Sequence, residues 1–320
     1  MTHTSPEHEA TLLIASDVHG RIPMLLRAAL EYQRVTGERV EAILVSGDLG
    51  VWPEDSRLDA STAKRSRTAP EELGFRAFRP RLGVRPTPRP DALDHLSKAQ
   101  AALAVILAEL EAPVLFVGGN HEDYVYLDAC RSASEHLPVP VDEEARLRWI
   151  PHGTVVELAT SAGPIRIAGL GGIAAEEDGR NPDRYHPLAL VDEDAALALM
   201  EAGSAEYDIL LTHDSARDFV HDGHGSSAIG ALVEEARPTL HVCGHYHSRR
   251  DPRPYESKAE ASRTLGVHVN TFLPDPETNR LRPNSLGIVR IRRDRVLSFA
   301  FADEAFLRRV SAKSWHRISS

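Results

Sequence analysis

Five short groups of residues in this 320-residue chain each carry side chains that could hold a metal ion. They are Asp17-Val18-His19-Gly20, Gly47-Asp48-Leu49-Gly50, Gly118-Gly119-Asn120-His121-Glu122, His213-Asp214 and Gly244-His245-Tyr246-His247. Carboxylate, carboxamide and imidazole are hard or borderline donors, and no cysteine stands among them. That set suits Mn²⁺, Fe, Zn²⁺ or Mg²⁺ and speaks against a thiolate zinc knot. Seven side chains suffice for two divalent ions if one carboxylate bridges: Asp17, His19, Asp48, Asn120, His213, His245 and His247. Two ions about 3.5–4 Å apart can hold a hydroxide between them and clamp a phosphoryl oxygen. Gly47, Gly119 and Gly244 each precede a candidate ligand, where backbone must pass close to other loops. Taken singly, the groups have ordinary structural readings, since Gly-Asp is a common turn and Asp-x-His can be a capped one. No such reading covers all five in order.

Each group follows a short apolar run. Residues 11–16 (TLLIAS), 40–46 (VEAILVS), 113–117 (PVLFV), 207–212 (YDILLT) and 239–243 (TLHVC) read as buried strands. Residues 22–35 have helical spacing closed by Gly37, so the chain opens as strand, helix, parallel strand. In α/β sheets the loops beyond the carboxyl ends of the strands form the ligand crevice, which would bring the five groups together. Further helices are expected over 91–111, 122–135, 192–202, 226–236 and 302–310. Further strands are expected over 147–150, 154–158, 165–168, 266–272, 285–291 and 296–301. Residues 1–10 read as a flexible leader, 11–302 as one catalytic domain and 303–320 as a C-terminal helix or tail. Residues 51–90 break the rhythm with six prolines and nine basic residues between Arg57 and Arg89, and read as an irregular surface insertion. Nine cations could track a nucleic-acid backbone. Phe75 and Phe78 are expected to tack the insertion to the core.

Composition narrows the classes. Lys plus Arg total 37 and Asp plus Glu 47, a net charge of −10, which argues against a dedicated nucleic-acid coat. Apolar residues at 42% and charged residues at 26% are globular composition. No apolar run approaches the roughly 18 residues of a membrane span, and the polar first nine residues resemble no signal peptide. Sixteen histidines stand against two cysteines, Cys130 and Cys243, so a disulfide framework is excluded and a cytoplasmic setting is expected. Cys243 reads as buried core, and residues 169–172 (GLGG) as a turn at a strand end.

The ordered set resembles the calcineurin-like metallophosphoesterases, whose pattern is Asp-x-His, Gly-Asp, Gly-Asn-His-Asp/Glu, His, then Gly-His-x-His. Here it runs from Asp17 to His247. The resemblance implies an α/β fold, a four-layer α/β/β/α sandwich, with a dinuclear centre. It puts Asp17, His19, Asp48 and His247 on one ion, and a bridging Asp48 with Asn120, His213 and His245 on the other. It makes His121 the catalytic residue beside the ligands, protonating the leaving oxygen or stabilising charge on the phosphoryl group. Around these, Glu122 is expected to orient His121, Asp214 to fix a histidine tautomer, and Arg249 or Arg250 to reach the substrate phosphate. His221 and His224 read as a flexible polar loop, with accessory metal ligation or substrate contact as the alternatives.

The gap between Asp48 and Asn120 is long for the family because of the insertion. Residues 112–122 (APVLFVGGNHE), 165–173 (IRIAGLGGI) and 207–214 (YDILLTHD) are similar to the branch containing RNA lariat-debranching enzymes. Those enzymes carry a cysteine where this chain has Asp17, which weighs against lariat specificity. The expected activity is hydrolysis of a phosphate ester by metal-bound hydroxide, with manganese the first choice of ion. The favoured substrate is a phosphodiester in a nucleotide or nucleic acid. A phosphomonoesterase or Ser/Thr protein phosphatase is the alternative, and a non-catalytic scaffold the alternative from another class.

Overall fold

The computed structural model describes residues 9–86, 92–175, 181–203, 206–255, 264–311, 313 and 315–316. Central strands of its sheets carry unbroken apolar runs because both of their faces are covered. Alternate side chains of a strand point to opposite sides. In β1 (Glu9–Ala15), Leu12 and Ile14 enter one core while Leu13 and Ala15 enter another. Likewise in β8 (Ile209–Thr212), Ile209 and Leu211 face the first core and Leu210 a third.

Two sheets result. The first runs β13 (Arg295–Phe301), β12 (Gly287–Arg292), β1, β2 (Val40–Val45), β3 (Val114–Phe116), β5 (Leu147–Trp149), β4 (Val139–Pro140). The second runs β10 (Arg253–Pro254), β11 (Leu265–His268), β9 (Leu240–Cys243), β8, β7 (Gly163–Leu170), β6 (Thr154–Thr160). β1, β2, β3 and β5 are mutually parallel, as are β7, β8, β9 and β11. Leu12, Ile14, Leu44 and Val117 meet Ile167, Leu211 and Val242 between the sheets. Helices α1 (Ile22–Thr36), α3 (Leu93–Glu109) and α4 (Tyr124–Ser132) cover the outer face of the first sheet. Helices α5 (Glu193–Ala202) and α6 (Ser227–Ala236) cover that of the second. The order helix, sheet, sheet, helix is the four-layer sandwich. No helix among the described residues is long and apolar enough to cross a membrane.

Three expectations are corrected. Glu9 and Ala10 belong to β1 and not to a leader, because Ala10 is buried and Glu9 pairs with Arg292 of β12; residues 1–8 lie outside the described residues. The expected C-terminal helix is one turn, α7 (Glu304–Leu307), capped by Asp303. The insertion is built, not irregular. It holds a 3-10 turn at Asp55–Arg57, helix α2 (Ala60–Arg65) and 3-10 turns over Pro70–Ala77. Phe75 and Phe78 are buried in the helix-side core, as expected. Buried Glu72 pairs with Arg21 at 3.1 Å, and buried Arg76 pairs with Asp55 at 2.8 Å and donates to Trp52 O at 3.0 Å. A charged group out of water needs such partners, so Glu72 and Arg76 are internal wiring, while Arg57, Lys64, Arg67 and Arg79 remain exposed. Residues 87–91, at the end of the expected insertion, lie outside the described residues.

Candidate metal centre

The five groups meet where parallel strands of both sheets end. Backbone bonds stitch their loops together. Asp17 N donates to Gly47 O at 3.1 Å, His19 N to Asp48 O at 2.8 Å, and Gly244 N to His213 O at 2.9 Å. Gly172, in the expected GLGG turn, donates to Gly118 O at 2.9 Å and supports the Gly118–Asn120 loop from beneath. Close approach leaves no room for side chains. A Cβ on Gly119 would lie 2.1 Å from Asp48 Oδ1, and one on Gly244 would lie 1.7 Å from Ser16 Oγ.

The candidate ligands sit on strained backbone. Asp17 (φ 49°), His19 (45°), Asp48 (50°), His245 (72°) and His247 (49°) all adopt the left-handed region. For non-glycine residues this costs on the order of 1–3 kcal/mol each and persists only where the surroundings enforce it. Here it turns consecutive ligands toward one point. Asp17, His19 and His247 offer ligand atoms within 4.8 Å of one another, and so do Asp17, Asp48 and His213. Asp48 Oδ2 lies between two imidazoles, 3.8 Å from His19 Nε2 and 3.6 Å from His213 Nε2. Asn120 Oδ1 is 3.2 Å from His213 Nε2, and the His245 ring is 5.1 Å from the His213 ring. The structure therefore brings together all seven expected ligands.

The electrostatics suit a cation. Asp17 is fully buried, which favours its neutral form, yet His247, His213 and His19 hold its carboxyl well below the usual range. Asp48 is also lowered, against burial, by His213, His121 and His19. Burial pushes His19 down to about 3 and His245 down to about 4, so both imidazoles are neutral and can ligate. His213 Nδ1 sits 2.8 Å from Ser46 O, and donating to that carbonyl presents Nε2 to the cluster. Two carboxylates held ionised, the neutral imidazoles of His19 and His245 and the carboxamide oxygen of Asn120 suit divalent cations.

His121 stands at the edge of this cluster, its ring 5.3 Å from that of His19. Its backbone N donates to Asp48 Oδ1 at 2.8 Å. Glu122 does not orient it. The buried Glu122 carboxylate accepts from Leu49 N and Val51 N at 2.7 Å each and Gly50 N at 3.3 Å, and so holds the Gly-Asp loop. The partner of His121 is Asp59, whose Oδ2 is 3.0 Å from His121 Nδ1. Burial alone would lower the His121 pKa, but the Asp48 charge and the Asp59 hydrogen bond raise it to about 9. Asp59 is fixed in turn as the N-cap of α2, accepting from Ser61 N at 2.8 Å, Thr62 N at 2.9 Å and Thr62 Oγ1 at 2.6 Å.

Asp214 is not a tautomer clamp either. It accepts from Ala174 N and Ser215 N at 2.7 Å each and from Tyr246 Oη at 2.6 Å, and so braces the loop between His245 and His247. Arg249 is exposed, and among the described residues no contact ties it to the cluster. Sequence reasoning missed Asp59 and Arg65, both on the insertion. Arg65 closes α2, pairs with Glu72 at 3.4 Å and points Nη2 at His19 Nδ1, 3.5 Å away. The one signal for Asp59 was local: an Asp-x-x-Thr start to a helix soon after the Gly-Asp loop.

Such a site on a four-layer sandwich defines a metal-dependent phosphoesterase. The family model for calcineurin-like phosphoesterases matches residues 10–249, and the chain belongs to that family. No curated protein matches the sequence. Similar solved structures include a 5′-nucleotidase precursor from Thermus thermophilus (12% identity, TM-score 0.46, 95% of this chain and 57% of that one). A phosphatase of Mycoplasma pneumoniae is another (10%, 0.46, 94% and 97%), and GAP50 of Plasmodium a third (11%, 0.44, 92% and 89%). This chain thus spans little more than half of the Thermus protein. At these identities and TM-scores the neighbours add nothing to the family assignment.

Proposed function

We propose that the chain is a phosphodiesterase with two bound divalent cations, manganese first among them, acting on a nucleotide or nucleic acid. The observation that carries the dinuclear reading is the pair of clusters Asp17–His19–His247 and Asp17–Asp48–His213, with Asp48 Oδ2 also within 3.8 Å of His19 Nε2, so that these two carboxylates would be placed between two ions. The bound cations would activate water and neutralise charge on the phosphoryl oxygens. The protein's own groups do the rest. Asp59 engages His121 Nδ1 and stabilises the imidazolium, which leaves Nε2 to protonate the departing oxygen. The bond from His121 N to Asp48 ties that proton donor to the ligand cluster, so acid and metal site keep one geometry.

The local similarity to the lariat-debranching branch supports a diester, although Asp17 replaces that branch's cysteine. One observation favours a monoester as the second reading. The Arg65 guanidinium lies beside His19 and is 37% exposed, and a cation there would answer the extra charge of a phosphomonoester dianion. Manganese-loaded protein assayed with bis-p-nitrophenyl and p-nitrophenyl phosphate separates the two. The diester reading expects faster turnover of the first, and faster turnover of the second transfers the assignment to a phosphomonoesterase.

A further inference from the structure

Next to the ligand His245, a second group of polar rings surrounds Tyr246. The Tyr246 hydroxyl donates to Asp214, which two backbone N–H groups hold, so the ring is anchored. Its centroid lies 4.9 Å from His245, 5.5 Å from His221 and 6.2 Å from His224. The loop that carries the two outer histidines is built. Asp218 N donates to His224 O at 2.7 Å, His224 N to His221 O at 3.1 Å, and Gly223 N to Asp218 Oδ1 at 2.6 Å.

Arg250 reaches this loop from the segment between β9 and β10. Its Nη2 lies 3.1 Å from His221 Nδ1, and its carbonyl accepts from Asn284 Nδ2 at 2.8 Å. A guanidinium only donates, so His221 Nδ1 accepts and the imidazole proton sits on Nε2. The pair keeps further donors beyond this contact: the remaining N–H groups of Arg250 and the Nε2–H of His221. Arg250 is exposed and His221 half-buried. A rigid, donor-only pair beside a phosphoesterase centre matches the oxygens of a phosphate. Asp222 and Asp251 flank it in the sequence, so its attraction rests on direct hydrogen bonds and not on a broad positive field.

We propose that His221 and Arg250 form a second phosphate subsite, which takes a phosphate of the substrate other than the one hydrolysed. The inference rests on the phosphodiesterase reading, because only a substrate with more than one phosphate can span both places. Tyr246 links the two, since it contacts His221 on one side and the ligand His245 on the other.

The test compares dithymidine monophosphate, with its single phosphate, against the same dinucleotide carrying 5′- and 3′-terminal phosphates. Manganese-loaded wild type and a His221→Ala/Arg250→Ala double variant are assayed on both, with Arg250→Ala alone as an intermediate. In the wild type the terminal phosphates should lower KM by about tenfold, the scale of one charge-assisted hydrogen bond. The double variant should lose that advantage, so that its KM for the two dinucleotides differs by no more than about twofold. An advantage retained in the double variant, or absent from a wild type that cleaves both dinucleotides, overturns the subsite alone. A wild type that cleaves neither dinucleotide nor bis-p-nitrophenyl phosphate overturns the phosphodiesterase reading and the subsite with it.

Discussion

Two carboxylate–imidazole pairs of equal length lie in one crevice: Asp17 with His247 and Asp59 with His121, each at 3.0 Å. Their surroundings set them apart. Asp17 is fully buried on left-handed backbone and lies within ligand reach of two clusters. Asp59 is part-exposed on ordinary extended backbone, and a helix N-terminus claims its oxygens. The first carboxylate accepts at Oδ2 from Ser16 Oγ at 2.6 Å and His245 N at 3.0 Å, and its Oδ1 faces His247 within the group of imidazoles that also includes His19 and His213. The second is spoken for by Ser61, Thr62 and His121, so it can only steer and charge a histidine. Residue type alone does not separate ligand from proton-donor support; the number of imidazoles and carboxylates gathered around each carboxylate does.

Substitutions at the two pairs should diverge. Asp17→Asn should lower kcat by about 10³-fold or more, the scale of losing several kcal/mol of metal-centred charge stabilisation. Elemental analysis should show fewer than two ions per chain. His121→Ala should cost roughly 10²–10⁴ in kcat with metal content unchanged; equal loss of both would merge the two pairs into one function. Asp59→Asn should cost about tenfold. Asparagine still caps a helix, so α2 should persist and the melting temperature should hold. The sign of its pH effect follows from the raised pKa of His121. With the protonated imidazole as the proposed acid, the rate should fall as pH rises through that pKa. Without the Asp59 charge the alkaline fall should move to lower pH, which a kcat–pH profile reads directly. Smallest in effect on chemistry, Gly119→Ala pushes a methyl against Asp48 and should destabilise the fold by roughly 1–3 kcal/mol, measured by denaturant melts. It should weaken metal retention while leaving the Asp59–His121 contact in place.

Both members of the first pair were legible in the sequence; of the second only His121 was. Asp17 and His247 belong to short motifs at strand ends, and strand ends can be read from apolar runs because both faces of these strands are buried. The same logic located Asp48, Asn120, His213 and His245. Asp59 lies in a segment whose polarity imitates a surface loop. Its ordering depends on Glu72, Arg76, Phe75 and Phe78 finding partners far away in the chain. Glu122 was misassigned for a related reason. Adjacency to His121 suggested a contact, but three backbone N–H groups of the Gly-Asp loop take its carboxylate. Asp214 likewise had a sequence neighbour, His213, and a different spatial partner, Tyr246.

The central claim is that the buried cluster around Asp17 and Asp48 holds two divalent ions while the Asp59–His121 pair holds none. Anomalous diffraction from manganese-soaked crystals tests it most directly. The account predicts two peaks about 3.5–4 Å apart, bounded by Asp17, His19, His247, Asp48, Asn120, His213 and His245, with none at Asp59. A single peak, or a peak bound by Asp59 and His121, would contradict it.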